Sequence, residues 1–194
     1  MTWKNTILKN KIRKYSEIVD ILIFGSTVRG KENPNDTDIM IIFKTTVDKN
    51  TEYKIKKELE KQYKNISIIS KTKKTVLEPT FDARESILSE AISLVTGKNL
   101  ANKYGFSSLG LFKYNIKGWS NVQKTKFYYA LNGRTSKDKG IVQDLNCIKL
   151  ADNIILAPLD KIEPLREFLD FWKINYTYTP ILIPERMNSK KILR

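Results

Sequence analysis

The stretch from Ile21 to Phe43 constrains this chain more than any other. An apolar run, Ile21-Leu-Ile-Phe24, breaks sharply at Gly25-Ser26. A polar loop containing Asn33-Pro34-Asn35 follows, and then Asp36-Thr-Asp38 leads into a second apolar run, Ile39 to Phe43. Residues 19–24 are almost continuously apolar, which predicts a strand buried on both faces. Gly25-Ser26 opens a tight turn, with Ser26 and Thr27 available as caps, and Gly30 closes it. Asp36 and Asp38 stand at i and i+2 on an extended segment, so both carboxylates project to the same side. Two like charges held that close repel unless a cation or a proton lies between them. The pattern therefore points to a divalent-metal site facing a Gly-Ser turn.

Other features limit the chemistry that can be built around this stretch. The 194 residues contain no histidine, which excludes His-ligated zinc, Ser-His-Asp and Cys-His catalysis, and any imidazole base. Acid–base work falls to carboxylates, Lys, Tyr or water. Cys147 is the one cysteine, so no internal disulfide forms and a reducing compartment fits. Residues 1–15 are amphipathic and Lys-rich and lack the apolar core of a signal peptide, and no window approaches a membrane span. The chain reads as cytoplasmic, with no membrane partner. Thirty-five Lys+Arg oppose 21 Asp+Glu, a net charge of +14 that favours polyanions. A lysine-rich surface from an AT-rich coding sequence gives the same composition.

The coarse element order is α+β. Helical spacing predicts helices over 3–15, 51–63 and 82–95, with strands at 19–24, 38–43 and 66–70. The first 97 residues thus read α-β-α-β-α-β-α, and Gly97 is the helix stop where composition shifts. Two domains are expected, 1–97 and 98–194. Residues 98–140 hold nine basic residues against Asp138 alone, a local charge of +8, together with eight of the chain's 20 aromatics. A strand over 111–116 is followed by Ser120-Asn-Val-Gln123, a capping-box pattern opening a helix to about Leu131, which Asn132-Gly133 closes. A short helix is read over 141–150, a strand over 153–157, a helix over 164–172, and a last strand over 176–183 on which Pro180 argues for an edge position. The second half reads β-α-(α)-β-α-β.

Gly25-Ser-Thr-Val-Arg29-Gly30, followed by Asp36-Thr-Asp38 and an apolar strand, resembles the signature of the nucleotidyltransferase superfamily with the DNA polymerase β fold. It looks most like the minimal nucleotidyltransferases common in archaea and bacteria. The resemblance covers roughly Val19 to Ser70. It implies a nucleotidyltransferase core, a short mixed sheet flanked by helices, with the small basic α+β module appended. It also implies that Asp36 and Asp38 are catalytic and hold Mg²⁺ or Mn²⁺, and that Gly25, Ser26 and Arg29 contact an NTP substrate. The reaction would be in-line attack on the α-phosphorus with loss of pyrophosphate. Taken singly, the plainer readings are turn chemistry for the aspartates, a cap for Ser26 and a solvated charge for Arg29.

This sequence departs from the family's pattern on the strand after the connecting helix. Family members carry a third carboxylate there, whereas residues 66–70 are Ile-Ser-Ile-Ile-Ser, with Ser67 or Ser70 in the expected place. Glu78 and Asp82 lie in the next segment as candidates, and Asp82 with Glu85 also reads as a capping box.

Cations interleaved with aromatics are the ingredients of single-stranded nucleic-acid binding. Lys113, Lys117, Trp119, Lys124, Lys126 and Arg134 are the candidates, with RNA the expected partner rather than DNA. The leading functional expectation is a Mg²⁺-dependent enzyme that adds a nucleoside monophosphate to the 3′ end of a tRNA-like RNA. The alternatives are a toxin–antitoxin-type minimal nucleotidyltransferase modifying a protein hydroxyl, and a catalytically weakened nucleotidyltransferase fold that binds nucleic acid.

Overall fold

The computed structural model describes residues 14–135 and 138–187. Of the helix expected over 3–15, residues 3–13 lie outside the described residues. So do Ser136, Lys137 and the basic stretch 188–194. The chain divides into two compact units, Met1–Tyr104 and Gly105–Arg194. The division falls after Tyr104 rather than at Gly97, because residues 98–104 bond back into the first unit. Leu100 N–H donates to the Ala91 carbonyl, and Lys103 Nζ pairs with Asp20 Oδ2 at 2.7 Å.

The first unit is built on a mixed four-stranded sheet in the order β3-β2-β1-β4. Strands β1 (Ile18–Phe24) and β2 (Thr37–Phe43) are antiparallel, and β2 runs parallel to β3 (Ile66–Thr72). A parallel pair needs a crossover, and helix α1 (Lys49–Leu59) supplies it. Asp48 starts α1 by accepting from the Asn50 and Thr51 amides, and Ile55 and Leu59 are buried. The helix ends before Tyr63, short of the expected 51–63 span.

The expected helix over 82–95 divides in two. Only Arg84–Glu90 is helical (α2), and Ile92–Ser93 forms β4 against Leu22 and Ile23 of β1. Ala91 takes an extended conformation, so Ile92 and Ser93 can supply edge pairing while Leu94 stays fully buried. No capping box forms at Asp82: the N-cap is Ala83, without a side-chain bond. Ser93 Oγ–H and Lys103 Nζ both donate to the buried Asp20 carboxylate, which ties the edge strand and the segment after it to β1.

The second unit has an antiparallel sheet, β6-β7-β5-β8, with its helices on one face. Its strands are β5 (Phe106–Asn115), β6 (Ile148–Ala151), β7 (Ile154–Pro158) and β8 (Asn175–Pro184). Phe112 and Tyr114 of β5 and Ile155 and Ala157 of β7 pack against α3 (Asn121–Asn132), α4 (Ile141–Asp144) and α5 (Ile162–Phe171). β8 is an edge strand, where Pro180 lacks a ladder donor at no cost to a neighbour. The expected helix over 141–150 stops at Asp144. Asn146 takes a left-handed φ of 54°, and Ile148–Ala151 turns through Asp152-Asn153 into a hairpin with β7.

The capping box at α3 is present: Gln123 N–H donates to Ser120 Oγ, and Ser120 N–H donates to Gln123 Oε1. Ser120→Ala is expected to cost about 1 kcal/mol of stability, read from a denaturant midpoint.

Candidate active site

Gly25 is where β1 ends, and its φ of 78° is a conformation that costs any residue with a Cβ. A 3-10 turn, Gly25–Thr27, follows, and the Val28 and Arg29 amides both donate to the Gly25 carbonyl. Val28 is fully buried and anchors the turn to the core. The leading N–H groups of such a turn have no partner within it. The N-cap position of the turn is Phe24, so Ser26 does not serve as its cap.

The sheet register places Asp38 beside this turn. Phe24 pairs with Asp38, and Asp38 pairs with Ser67 across the parallel β2–β3 ladder. Residues in register share a face, so Asp38 stands on the face that also carries Leu22, Met40, Ile42 and the α2 residue Ile87. A Cβ on Gly25 would overlap Asp38 Oδ2, so the carboxylate occupies space that only glycine leaves open.

Asp36 sits just before β2, exposed, with its backbone pinned from two sides. Thr27 Oγ1–H donates to the Asp36 carbonyl at 3.4 Å, and Asn65 Nδ2–H donates to the Asn35 carbonyl at 2.9 Å. Asn65 itself holds a left-handed φ of 49°, a role that asparagine tolerates well.

The electrostatics follow from this arrangement. Partial burial and the neighbouring Asp36 carboxylate raise Asp38 above its ordinary carboxylate value, against the opposing pull of Arg29. An Asp whose folded value is raised favours the fold while protonated. That stability is present below the unfolded value and is lost as pH rises through the folded one. Asp38→Asn is therefore expected to remove this decline and to leave the metal-free protein melting no lower than wild type at neutral pH. Thermal melts between pH 4 and 8 check it.

Arg29 is held in place by a carboxylate that the sequence reading missed. Glu90, the last residue of α2, is buried and accepts from Arg29 Nη1 at 2.8 Å. The guanidinium is therefore bonded to a buried carboxylate and near enough to Asp38 to oppose its shift, rather than a freely solvated charge.

Register also settles which serine stands beside the aspartates. Ser67 is in line with Asp38, whereas Ser70 pairs with Ile41 and faces the other side of the sheet. Among the described residues no third Asp, Glu, Cys or His joins Asp36 and Asp38 in a metal-ligating cluster, so neither Glu78 nor Asp82 completes one.

Residues 6–94 match the family model described as Polymerase beta, Nucleotidyltransferase. Residues 6–94 form a nucleotidyltransferase domain of the polymerase β type. No curated protein and no solved structure matches the chain. The mixed sheet fits the fold of this nucleotidyltransferase domain, and the Gly-Ser turn, the aspartate doublet and Ser67 all lie within the matched residues. The matched region ends before the second unit begins.

In that second unit the sequence-derived basic residues spread over different surfaces. Lys124 and Lys126 lie on α3, with Lys124 on the stripe of Phe127 and Leu131. Lys113 is exposed on the sheet face opposite Phe112 and Tyr114, and Lys117 lies in the β5–α3 loop. Trp119 is half-buried, its ring 5.8 Å from Phe127 and 6.2 Å from Trp172. On α3 the rings of Tyr128 and Tyr129 are exposed, and Arg134 lies over Tyr129 at 5.6 Å. Burial pushes the Cys147 thiol up to about 12, and Asp160 adds to the shift against Lys161, which disfavours the thiolate at neutral pH. No helix among the described residues is long and apolar enough to cross a membrane.

Proposed function

We propose that the nucleotidyltransferase domain transfers a nucleoside monophosphate from an NTP to the 3′ hydroxyl of an RNA, with Mg²⁺ or Mn²⁺ held by Asp36 and Asp38. The observation that carries this reading is the seating of the Asp38 carboxylate against Cβ-less Gly25, with Asp36 close enough to raise its proton affinity.

The donor set fits a hard divalent ion. It offers carboxylate oxygens alone, from two residues, leaving further positions for water and phosphate oxygens, which is how Mg²⁺ is usually held. When bound, the ion neutralises charge on the triphosphate and on the departing pyrophosphate.

The chain's own residues do the rest. Gly25 and Ser26 let backbone amides and the Ser26 hydroxyl approach phosphate oxygens closely. Arg29, fixed by Glu90, offers guanidinium donors to the same anion. Together they bring the α-phosphorus to a defined place, and positioning is the larger part of phosphoryl-transfer catalysis. The RNA acceptor is supported by the basic, aromatic-rich composition of residues 98–140.

Ser67 in the position of a third carboxylate favours one second reading, a weakened domain that binds nucleic acid without transfer. The test is to incubate the full chain with α-labelled NTPs, Mn²⁺, total RNA and a protein extract. Label on RNA that disappears when the RNA 3′ ends are oxidised with periodate supports the proposal. Label on protein, or on RNA with blocked ends, contradicts the acceptor assignment. No label on any acceptor, with RNA binding retained, favours the weakened domain.

A further inference from the structure

The second unit contains a cavity of about 460 Å³ beside α3. Its floor is core: Tyr114, Phe127 and Leu131 are all nearly fully buried. Its rim is different in kind. Tyr128 is 53% exposed, and Lys149 Nζ lies 5.4 Å from the centre of that ring. Lys124, one turn before Tyr128 on α3, contributes a second ammonium group to the lining. Asp152 stands at the mouth, its backbone carbonyl taking the Tyr114 hydroxyl and its carboxylate 3.7 Å from Lys149.

An exposed ring at the rim of an apolar-floored cavity offers a face on which a planar group can stack. Two ammonium groups at the same rim favour an anion attached to that planar group. A carboxylate at the mouth can accept from a base amino group. The size lies in the range of nucleotide-sized ligand pockets. The surrounding segment, 98–140, carries a net charge of +8, complementary to a phosphate backbone.

We infer that this cavity takes one unpaired base of a single-stranded RNA, stacked on Tyr128, with the flanking phosphates on Lys124 and Lys149. The inference rests on the RNA-acceptor reading given above and names the place where that RNA is held. It assigns a role to Lys149, which lies outside the basic segment 98–140. It also selects Lys124 over Lys113, which lies on the other face of the sheet.

The experiment is fluorescence anisotropy of a labelled mixed-sequence 12-nucleotide single-stranded RNA with the full chain, over a series of salt concentrations. Tyr128→Ala is expected to weaken binding by about 5- to 100-fold, the range of base–aromatic stacking, while Tyr128→Phe retains most of it. Lys124→Gln and Lys149→Gln are each expected to lower the slope of log K against log salt by about 0.7. Because Tyr128 is exposed, circular dichroism of the alanine variant should match wild type. If wild type binds but all three variants bind equally well while Lys113→Gln weakens the complex, the pocket assignment is overturned and the RNA reading survives. If wild type does not bind RNA at all, both are overturned. Equal competition by polyglutamate and by unlabelled RNA would reduce the surface to a general polyanion patch and would also overturn the assignment.

Discussion

Replacing Asp36 and Asp38 together by alanine is expected to reduce nucleotidyl transfer by at least about 1,000-fold, close to 4 kcal/mol of transition-state stabilisation. The fold should survive. Asp36 is exposed, and Asp38 is held against its own preference, raised by partial burial and by its neighbour's charge. Removing both carboxylates relieves that repulsion, so the double variant should melt no lower than wild type without metal. Each single alanine variant should lose nearly as much activity as the pair, because residues that hold one ion act as a unit and their effects do not add. Rates from labelled-NTP transfer, alongside thermal melts, test both halves. A double variant that unfolds would show instead that the aspartates are structural turn residues.

Gly25→Ala is the second large effect. The φ of 78° costs a residue with a Cβ about 1–2 kcal/mol, and the new methyl would overlap Asp38 Oδ2. Asp38 must then move away from the turn. A displacement of the order of 1 Å costs roughly 100-fold in rate, so transfer should fall by about that factor even where the protein folds. Gly118→Ala is the control. Its φ is also positive, at 84°, but nothing lies within 4 Å of the added atom. It should lose a comparable amount of stability and no activity. Equal activity losses in the two variants would mean that the contact with Asp38 has no role in transfer.

The residues that announced themselves in the sequence are those whose structure is set locally. Strands β1 and β2 are continuous apolar runs, fully buried over Ile21 to Ile23 and Ile39 to Ile41, and nothing but a central sheet accommodates them. The α3 capping box depends on four consecutive residues and is present as read. Gly25 and the doublet follow from turn chemistry and a period of two.

Long-range pairing was less legible. Glu90 reads as one more polar helix residue, and its partner Arg29 is 61 positions away. Ile92 and Ser93 continue a helical pattern in sequence, but β1 has an open edge, and pairing there wins over propagation of a short helix. Lys149 falls within the helix expected over 141–150, whereas the hairpin through Asp152-Asn153 puts it on β6 beside Tyr128, a meeting that depends on long-range pairing. Trp119 looked like a stacking ring because aromatic composition does not reveal which rings the core will take.

If the aspartate doublet facing Gly25 is a phosphoryl-transfer centre, the protein releases pyrophosphate from an NTP through it. The most direct measurement is pyrophosphate release from each of the four NTPs, with RNA and Mn²⁺, by wild type and by the Asp36→Asn/Asp38→Asn variant at matched concentration. Wild type is expected to release pyrophosphate only with both metal and RNA, and the variant at least about 1,000-fold more slowly. Release at the same rate by both proteins, or none by wild type with any NTP, would mean that the doublet is not such a centre.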